Sequence, residues 1–120
     1  MNKILITGHL GFIGSQLHKL IPEADGWDLK DGYDISEILP LKVYTHIFHL
    51  AAKRSVPLGE THWREFIKTN CEGTAFLLKY FPDSKILNIS SSSAAEAKSI
   101  YGATKRFAEL IGFQHKNCLN

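Results

Sequence analysis

Residues 7–14 read Thr7-Gly8-His9-Leu10-Gly11-Phe12-Ile13-Gly14 and directly follow a short apolar run over residues 3–7. A buried strand that ends in a glycine turn and leads into a helix constrains the fold more than any other stretch of the chain. Glycines allow a tight turn and close approach of backbone to a phosphate. The helix N-terminus that follows offers free N–H groups and a partial positive charge. Gly8, Gly11 and Gly14, with Phe12 and Ile13 between them, are therefore candidate contacts for a diphosphate. The spacing is GxxGxxG rather than GxGxxG, so the placement after the first strand carries the reading.

Strand and helix alternate from there on. Ile13, Leu17, Leu20 and Ile21 have helical spacing over residues 12–21, and Pro22 ends that helix. Residues 26–29 read as a weak strand and residues 33–35 as a third, with Ser36 capping a short helix through Leu39. Residues 46–50 and 85–89 read as buried strands. The longest predicted helix covers residues 60–81. On it Trp63, Phe66, Ile67, Asn70, Thr74, Leu77, Leu78 and Phe81 hold i, i+3, i+4 spacing. A last helix is predicted over residues 101–115, and residues 116–120 read as entry into a further strand. Such alternation predicts an α/β fold: a Rossmann-like, doubly wound parallel sheet of about five strands with helices on both faces. Ligands of such sheets sit beyond the carboxyl ends of the strands, where the motifs of this chain fall.

The 120 residues suffice for one domain. A formal net charge of +2 gives no electrostatic footprint for nucleic acid. Lys53-Arg54, the densest basic spot, reads as a solvated loop. Cys71 and Cys118 form no CxxC and no disulfide framework. No apolar run has the length of a signal peptide or a bilayer span, so no membrane partner and a cytoplasmic location are expected. His46 and His49 lie three apart on a strand, and no histidine pair has zinc-site spacing. No metal is expected, and His49 is read as a structural hydrogen-bonding residue near a cofactor.

Three further features carry chemistry. Asp28 lies 20 residues after Gly8, at the end of the second predicted strand. A carboxylate there accepts hydrogen bonds from adenosine ribose hydroxyls and repels a 2′-phosphate, which favours NAD over NADP. Lys30, two positions on, works against that preference. Tyr101 and Lys105 stand at i and i+4 on a helix and share a face. An ammonium about 4 Å from a phenolate is worth ~4 kcal/mol at an effective dielectric of 20, so such a pair can serve as a proton-transfer group. Ser90-Ser91-Ser92-Ser93 follow a strand, where a hydroxyl can hold a substrate alcohol or carbonyl as its proton moves.

Taken in order, these residues resemble the extended short-chain dehydrogenase/reductase family of nucleotide-sugar epimerases and dehydratases. The resemblance runs over essentially the whole chain. TGHLGFIGSQL is similar to the family's TGxxGFIGSxL opening. Asp34-Ile35 in DGYDIS resembles its GD(I/V) element, whose carboxylate meets the adenine. FHLAA resembles its HLAA strand end, which implies that Leu50, Ala51 and Ala52 line the cofactor. TNCEGTAFLL is similar to its NxxGTxxLL helix, with Asn70 a cofactor contact. ISSSSAA and YGATKRFAE resemble its serine strand and its Y(G)xSKxxxE helix. The resemblance implies Tyr101 as catalytic acid/base, with Lys105 as its partner and as a hold on the nicotinamide ribose. It implies Ser91, with Ser92 next, as the substrate-facing serine. The reaction implied is reversible hydride transfer between a nucleotide-sugar carbon and NAD.

Members of this family run to roughly 300 residues, the later part forming the sugar-nucleotide pocket. Residues 1–120 are thus expected to be the NAD(P)-binding Rossmann domain, with the substrate domain absent from them. Phe76 and Tyr80 lie off the main stripe of the 60–81 helix, as do Phe107 and Leu110 on the 101–115 helix. With the family's habit of pairing through these helices, that implies a homodimer, which a monomeric mass at micromolar concentration would contradict. Three functional readings stay open. The first is an NAD-dependent epimerase, dehydratase or reductase. The second is a binding module without turnover that pairs with another chain. The third is a structural remnant, which NAD would not stabilise.

Overall fold

Leu5, Ile6 and Thr7 are buried because β1 (Ile4–Thr7) lies in the middle of a parallel sheet, with strands on either side of it. The computed structural model describes residues 2–29, 34 and 42–120. β1 pairs with β2 (Asp25–Trp27) on one side and with β3 (His46–His49) on the other. β4 (Lys85–Asn88) adds to β3, and β5 (Cys118–Leu119) adds to β4. Every pairing is parallel and the order is β2-β1-β3-β4-β5. This is the predicted Rossmann-like α/β sheet. Its fifth strand is the one at residues 118–119. The strand expected at 33–35, the helix expected at 36–39 and the cofactor contact expected of Ile35 lie outside the described residues, Asp34 excepted.

The first helix, α1 (Phe12–Leu20), does not bury the apolar stripe that its spacing predicts. Phe12, Ile13 and Leu20 are exposed, and the buried residue is Gly14. A glycine at the contact lets the helix backbone lie directly on the turn before it, so the side chains splay outward.

The continuous helix predicted at 60–81 is broken. α2 (Val56–Thr61) precedes it, begun by Ser55, whose hydroxyl accepts the Leu58 N–H at 3.3 Å, with proline in the first turn. His62 then leaves helical geometry before α3 (Trp63–Phe66). Residues Ile67–Glu72 wind as a π-helical turn, and α4 (Gly73–Tyr80) resumes the α-helix. Phe66, Asn70, Thr74, Leu77, Leu78 and Phe81 of the predicted stripe face inward despite the changes in winding, whereas Trp63 and Ile67 are exposed. α5 (Ser93–Glu96) is a further short helix, and α6 (Ile100–Gly112) corresponds to the predicted last helix.

The core forms between β1, β3, β4 and α4: Leu5, Ile47, Ile86, Leu77 and Leu78, closed by Trp27, Tyr44 and Phe81. Those three rings lie 5.7–6.1 Å apart. Tyr44 sends its hydroxyl to Asp25 Oδ2 at 2.8 Å, so its polar end is satisfied while its ring is buried. Among the described residues, no helix is long and apolar enough to cross a membrane, and no group of histidine, cysteine, aspartate and glutamate could hold a metal.

Candidate dinucleotide site

The chain passes from β1 to β2 on one side of the sheet, then crosses to β3 on the other. That reversal opens a crevice at the carboxyl ends of β1 and β3. Gly8 occupies it with φ of +73°, a conformation that disfavours any side chain. Its N–H donates to the Trp27 carbonyl at 2.6 Å, and its carbonyl accepts from Gly11 N at 3.1 Å. A Cβ at Gly8 would stand 2.9 Å from Ala51 N, and one at Gly14 would overlap the Gly8 carbonyl oxygen. Asp28 Oδ2 accepts the Leu10 N–H at 3.1 Å and ties the turn to the end of β2. Gly11 begins α1 in extended conformation with no side-chain cap, and the first turn holds no acid. The N–H groups at that end therefore face outward, toward water or an anion.

A cavity of about 300 Å³ runs along this edge of the sheet. At the β2 end its wall contains Asp28, Leu29 and Asp34. The glycine turn follows, with Gly8, Gly11, Phe12, Ile13 and Gly14, and opposite it lie Leu50, Ala51 and Ala52. At the β4 end stand Tyr101 and Lys105. Most of the predicted site residues thus share one cavity. Lys53 and Arg54, read as a solvated loop, are also on its wall, as are Trp27, Thr69, Ile89 and Ser90. For the basic pair a signal was present in the sequence: they directly follow Ala51-Ala52 at the carboxyl end of a buried strand.

Two predicted residues are placed differently. Asn70, carried inward by the π-turn, spends its amide within the protein. Its Oδ1 accepts from Lys53 N at 2.8 Å, and its Nδ2 donates to Lys53 O at 2.9 Å and to Thr104 Oγ1 at 3.0 Å. Thr104 in turn donates to the Tyr101 carbonyl at 2.8 Å. Asn70 therefore fixes the spacing between the Lys53 wall and the helix of Tyr101. Ser91 is not on the cavity wall. Its hydroxyl accepts the Ser93 N–H at 3.2 Å at the start of α5.

His49 is buried behind the Leu50–Ala51 wall of the cavity and braces it through Thr7. Thr7 Oγ1 accepts both Leu50 N and Ala51 N at 3.1 Å, so its own hydrogen goes to His49 Nδ1 at 2.7 Å. His49 Nε2–H is then the donor to Thr74 Oγ1 at 2.9 Å. Burial, with a smaller contribution from the Lys105 charge, pushes the pKa of His49 down from 6.5 to about 3. The unfolded chain takes up this proton near pH 6.5, and the folded protein does not until about pH 3. The stability it contributes is complete above pH 6.5 and is lost as the pH falls toward 3, by about 1.4 kcal/mol per unit. Urea unfolding is expected to show roughly 2 kcal/mol less stability at pH 5 than at pH 7. His49→Gln should flatten that slope. Equal slopes in the two proteins would refute the assignment.

Tyr101 and Lys105 both ride on α6, which Ser99 begins by accepting Gly102 N at 3.0 Å. The Tyr101 ring stands edge-on to Phe66 at 6.2 Å. Lys105 is 7% exposed and donates from Nζ to the Ile89 carbonyl at 2.8 Å. Burial lowers its pKa, and the nearby Glu109 opposes that shift. A buried ammonium held on one carbonyl, one helical turn from a phenol on the same cavity wall, can stabilise a phenolate and move a proton.

Residues 25–119 match the family described as polysaccharide biosynthesis protein. The probable polysaccharide biosynthesis protein EpsC of Bacillus subtilis (strain 168) is 31% identical over 124 residues, covering 91% of this chain and 20% of that protein. Two solved structures share the fold. The dTDP-4-dehydrorhamnose reductase of Bacillus anthracis, in complex with NADP, superposes with a TM-score of 0.83 at 21% identity, covering 98% of this chain and 51% of that one. TunA, an NAD-dependent NDP-hexosamine 5,6-dehydratase of tunicamycin biosynthesis, has a TM-score of 0.84 at 20% identity, covering 97% and 50%. The chain spans a fifth or less of the length of the curated relatives it matches and about half of these two structures. With its glycine turn, parallel sheet and Tyr101–Lys105 helix, the chain belongs to the polysaccharide biosynthesis protein family, within the extended short-chain dehydrogenases/reductases.

Proposed function

We propose that residues 1–120 are the dinucleotide-binding and proton-transfer part of an NAD-dependent enzyme that converts a nucleotide sugar. One observation carries this reading: a single cavity joins a glycine turn without room for a side chain, the Asp28 carboxylate and the Tyr101–Lys105 pair. The residues fit a dinucleotide: Gly8 and Gly14 pack against backbone with no room for a Cβ, which draws the turn tight against the start of α1, and the uncapped N–H groups of that helix end, with no acid in the first turn, suit a diphosphate. When bound, the nicotinamide supplies the acceptor or donor of a hydride. The α1 N-terminus holds the diphosphate. Asp28 accepts the adenosine ribose hydroxyls and disfavours a 2′-phosphate, and Asp34 stands at the same end toward the adenine.

Tyr101 takes or gives the proton of the sugar hydroxyl, and Lys105 stabilises the phenolate from the same helix face. Ser91 lies off the cavity wall with its hydroxyl accepting from Ser93 N, and its own hydrogen stays available to a substrate oxygen that approaches that edge. The NDP-hexosamine dehydratase and the dTDP-sugar reductase named above support a nucleotide-sugar substrate. Tyr80, Phe107 and Leu110, exposed on α4 and α6, support pairing of two copies through these helices. The reading places the chain in the cytoplasm.

Thermal melting with NAD, NADP and UDP-sugars in parallel tests it. A ligand at a hundredfold excess over its Kd adds about 2.7 kcal/mol, which for a domain of this size raises Tm by roughly 10 °C. NAD is expected to give the larger shift. No shift with either dinucleotide would end the reading, and a larger one with NADP would reverse the cofactor preference.

A further inference from the structure

Ser90 lies just past β4, one residue beyond Ile89, whose carbonyl takes the Lys105 ammonium at 2.8 Å. It is on the cavity wall with Tyr101 and Lys105. Its hydroxyl is buried and has no hydrogen-bond partner among the described residues. Native proteins rarely leave a buried hydroxyl unsatisfied, and such exceptions mark places where an ordered water, an ion or a functional contact completes the bonding. Turning about Cα–Cβ to another staggered rotamer moves Oγ without moving the backbone.

Its place along the cavity indicates which part of a ligand it meets. The sheet order puts β4 at the opposite end from Asp28 and β2. A proton-transfer pair must stand within hydrogen-bond reach of the oxygen on the carbon that gains or loses the hydride. The redox-active end of a dinucleotide therefore belongs beside Tyr101 and Lys105, where Ser90 is. The adenosine end, beside Asp28, is out of its reach.

We propose that Ser90 is a positioning residue for the nicotinamide end of the dinucleotide, its hydroxyl bonding an amide or ribose oxygen there and setting how deep the ring sits. This rests on the dinucleotide reading above. It is separate from the substrate-facing role of Ser91, because the two hydroxyls have different partners.

The test is titration of the wild-type chain and Ser90→Ala with NADH and with ADP-ribose, which lacks the nicotinamide. Ser90→Ala is expected to weaken NADH roughly tenfold, the effect of one lost hydrogen bond, and to leave ADP-ribose within about twofold. Urea unfolding of the variant is expected to match or exceed the wild type, since it removes an unsatisfied hydroxyl. Unchanged NADH affinity, equal weakening of both ligands, or a marked loss of stability would each overturn the proposal. A wild-type chain that binds neither ligand would overturn the dinucleotide reading itself, and this inference with it.

Discussion

Gly14→Ala is expected to destabilise the chain by about 3 kcal/mol and to abolish dinucleotide binding. The added Cβ would fall on the Gly8 carbonyl oxygen, 2.8 Å from the Gly8 carbonyl carbon and 2.9 Å from His9 Cα. All three are backbone atoms, so no side chain can swing away. Relief requires α1 to lift off the turn. That movement opens the cradle and breaks the Gly8–Gly11 bond at 3.1 Å. Gly11→Ala makes the comparison sharp, because its Cβ meets only the Gly8 carbonyl oxygen, at 3.3 Å. It should cost about 1 kcal/mol or less and keep most of the affinity. Urea unfolding and NADH titration of both variants read the difference. A Gly14→Ala chain with wild-type stability and affinity would show that the turn is not packed as described.

Tyr101→Phe is expected to slow hydride transfer by a factor of 10² to 10⁴ and to leave NADH affinity within about twofold. The substitution removes the phenolic oxygen and keeps the ring that stands against Phe66, so α6 and its contacts persist. Ser99, Thr104 and Asn70 position this helix through bonds that do not involve the Tyr101 hydroxyl. A loss confined to turnover is therefore chemical in origin. The measurement is single-turnover absorbance of the reduced cofactor together with product analysis over a panel of nucleotide sugars, because an epimerase or dehydratase returns the hydride within each turnover. Turnover by Tyr101→Phe at the wild-type rate would remove Tyr101 from the proton path and leave a binding role for the cavity.

Much of the site can be read from local rules. A glycine triplet after an apolar run implies a turn whatever lies around it, because the steric freedom of glycine belongs to the residue. The i, i+4 relation of Tyr101 and Lys105 follows from helix pitch alone, and both residues do line the cavity. Asp28 was legible from its spacing of 20 residues after Gly8, although β2 covers Asp25–Trp27 rather than residues 26–29 and ends one residue before it. The acidic residue at 34 also reaches the cavity, although its neighbours lie outside the described residues.

What stayed hidden depends on contacts between distant segments. Asn70 carries the sequence mark of a cofactor contact, yet its amide is consumed by Lys53 and Thr104, 17 and 34 residues away in the chain. Which of four adjacent serines reaches the cavity depends on where β4 ends and α5 begins. The hydroxyl of Ser91 is drawn to Ser93 N, while Ser90 remains on the wall. Apolar periodicity did not reveal the π-turn at 67–72, which leaves Ile67 of the predicted stripe exposed while Asn70 and Thr74 face inward.

The alternation of apolar runs, turns and amphipathic stretches was enough to specify a parallel α/β sheet with a glycine turn after its first strand. These are short-range preferences, each written within a few neighbouring residues. The assignment of every side chain to wall or bracing came from the assembled fold. Hydrogen bonds between residues dozens of positions apart compete for the same donors and acceptors, and that competition is settled only once the strands have paired.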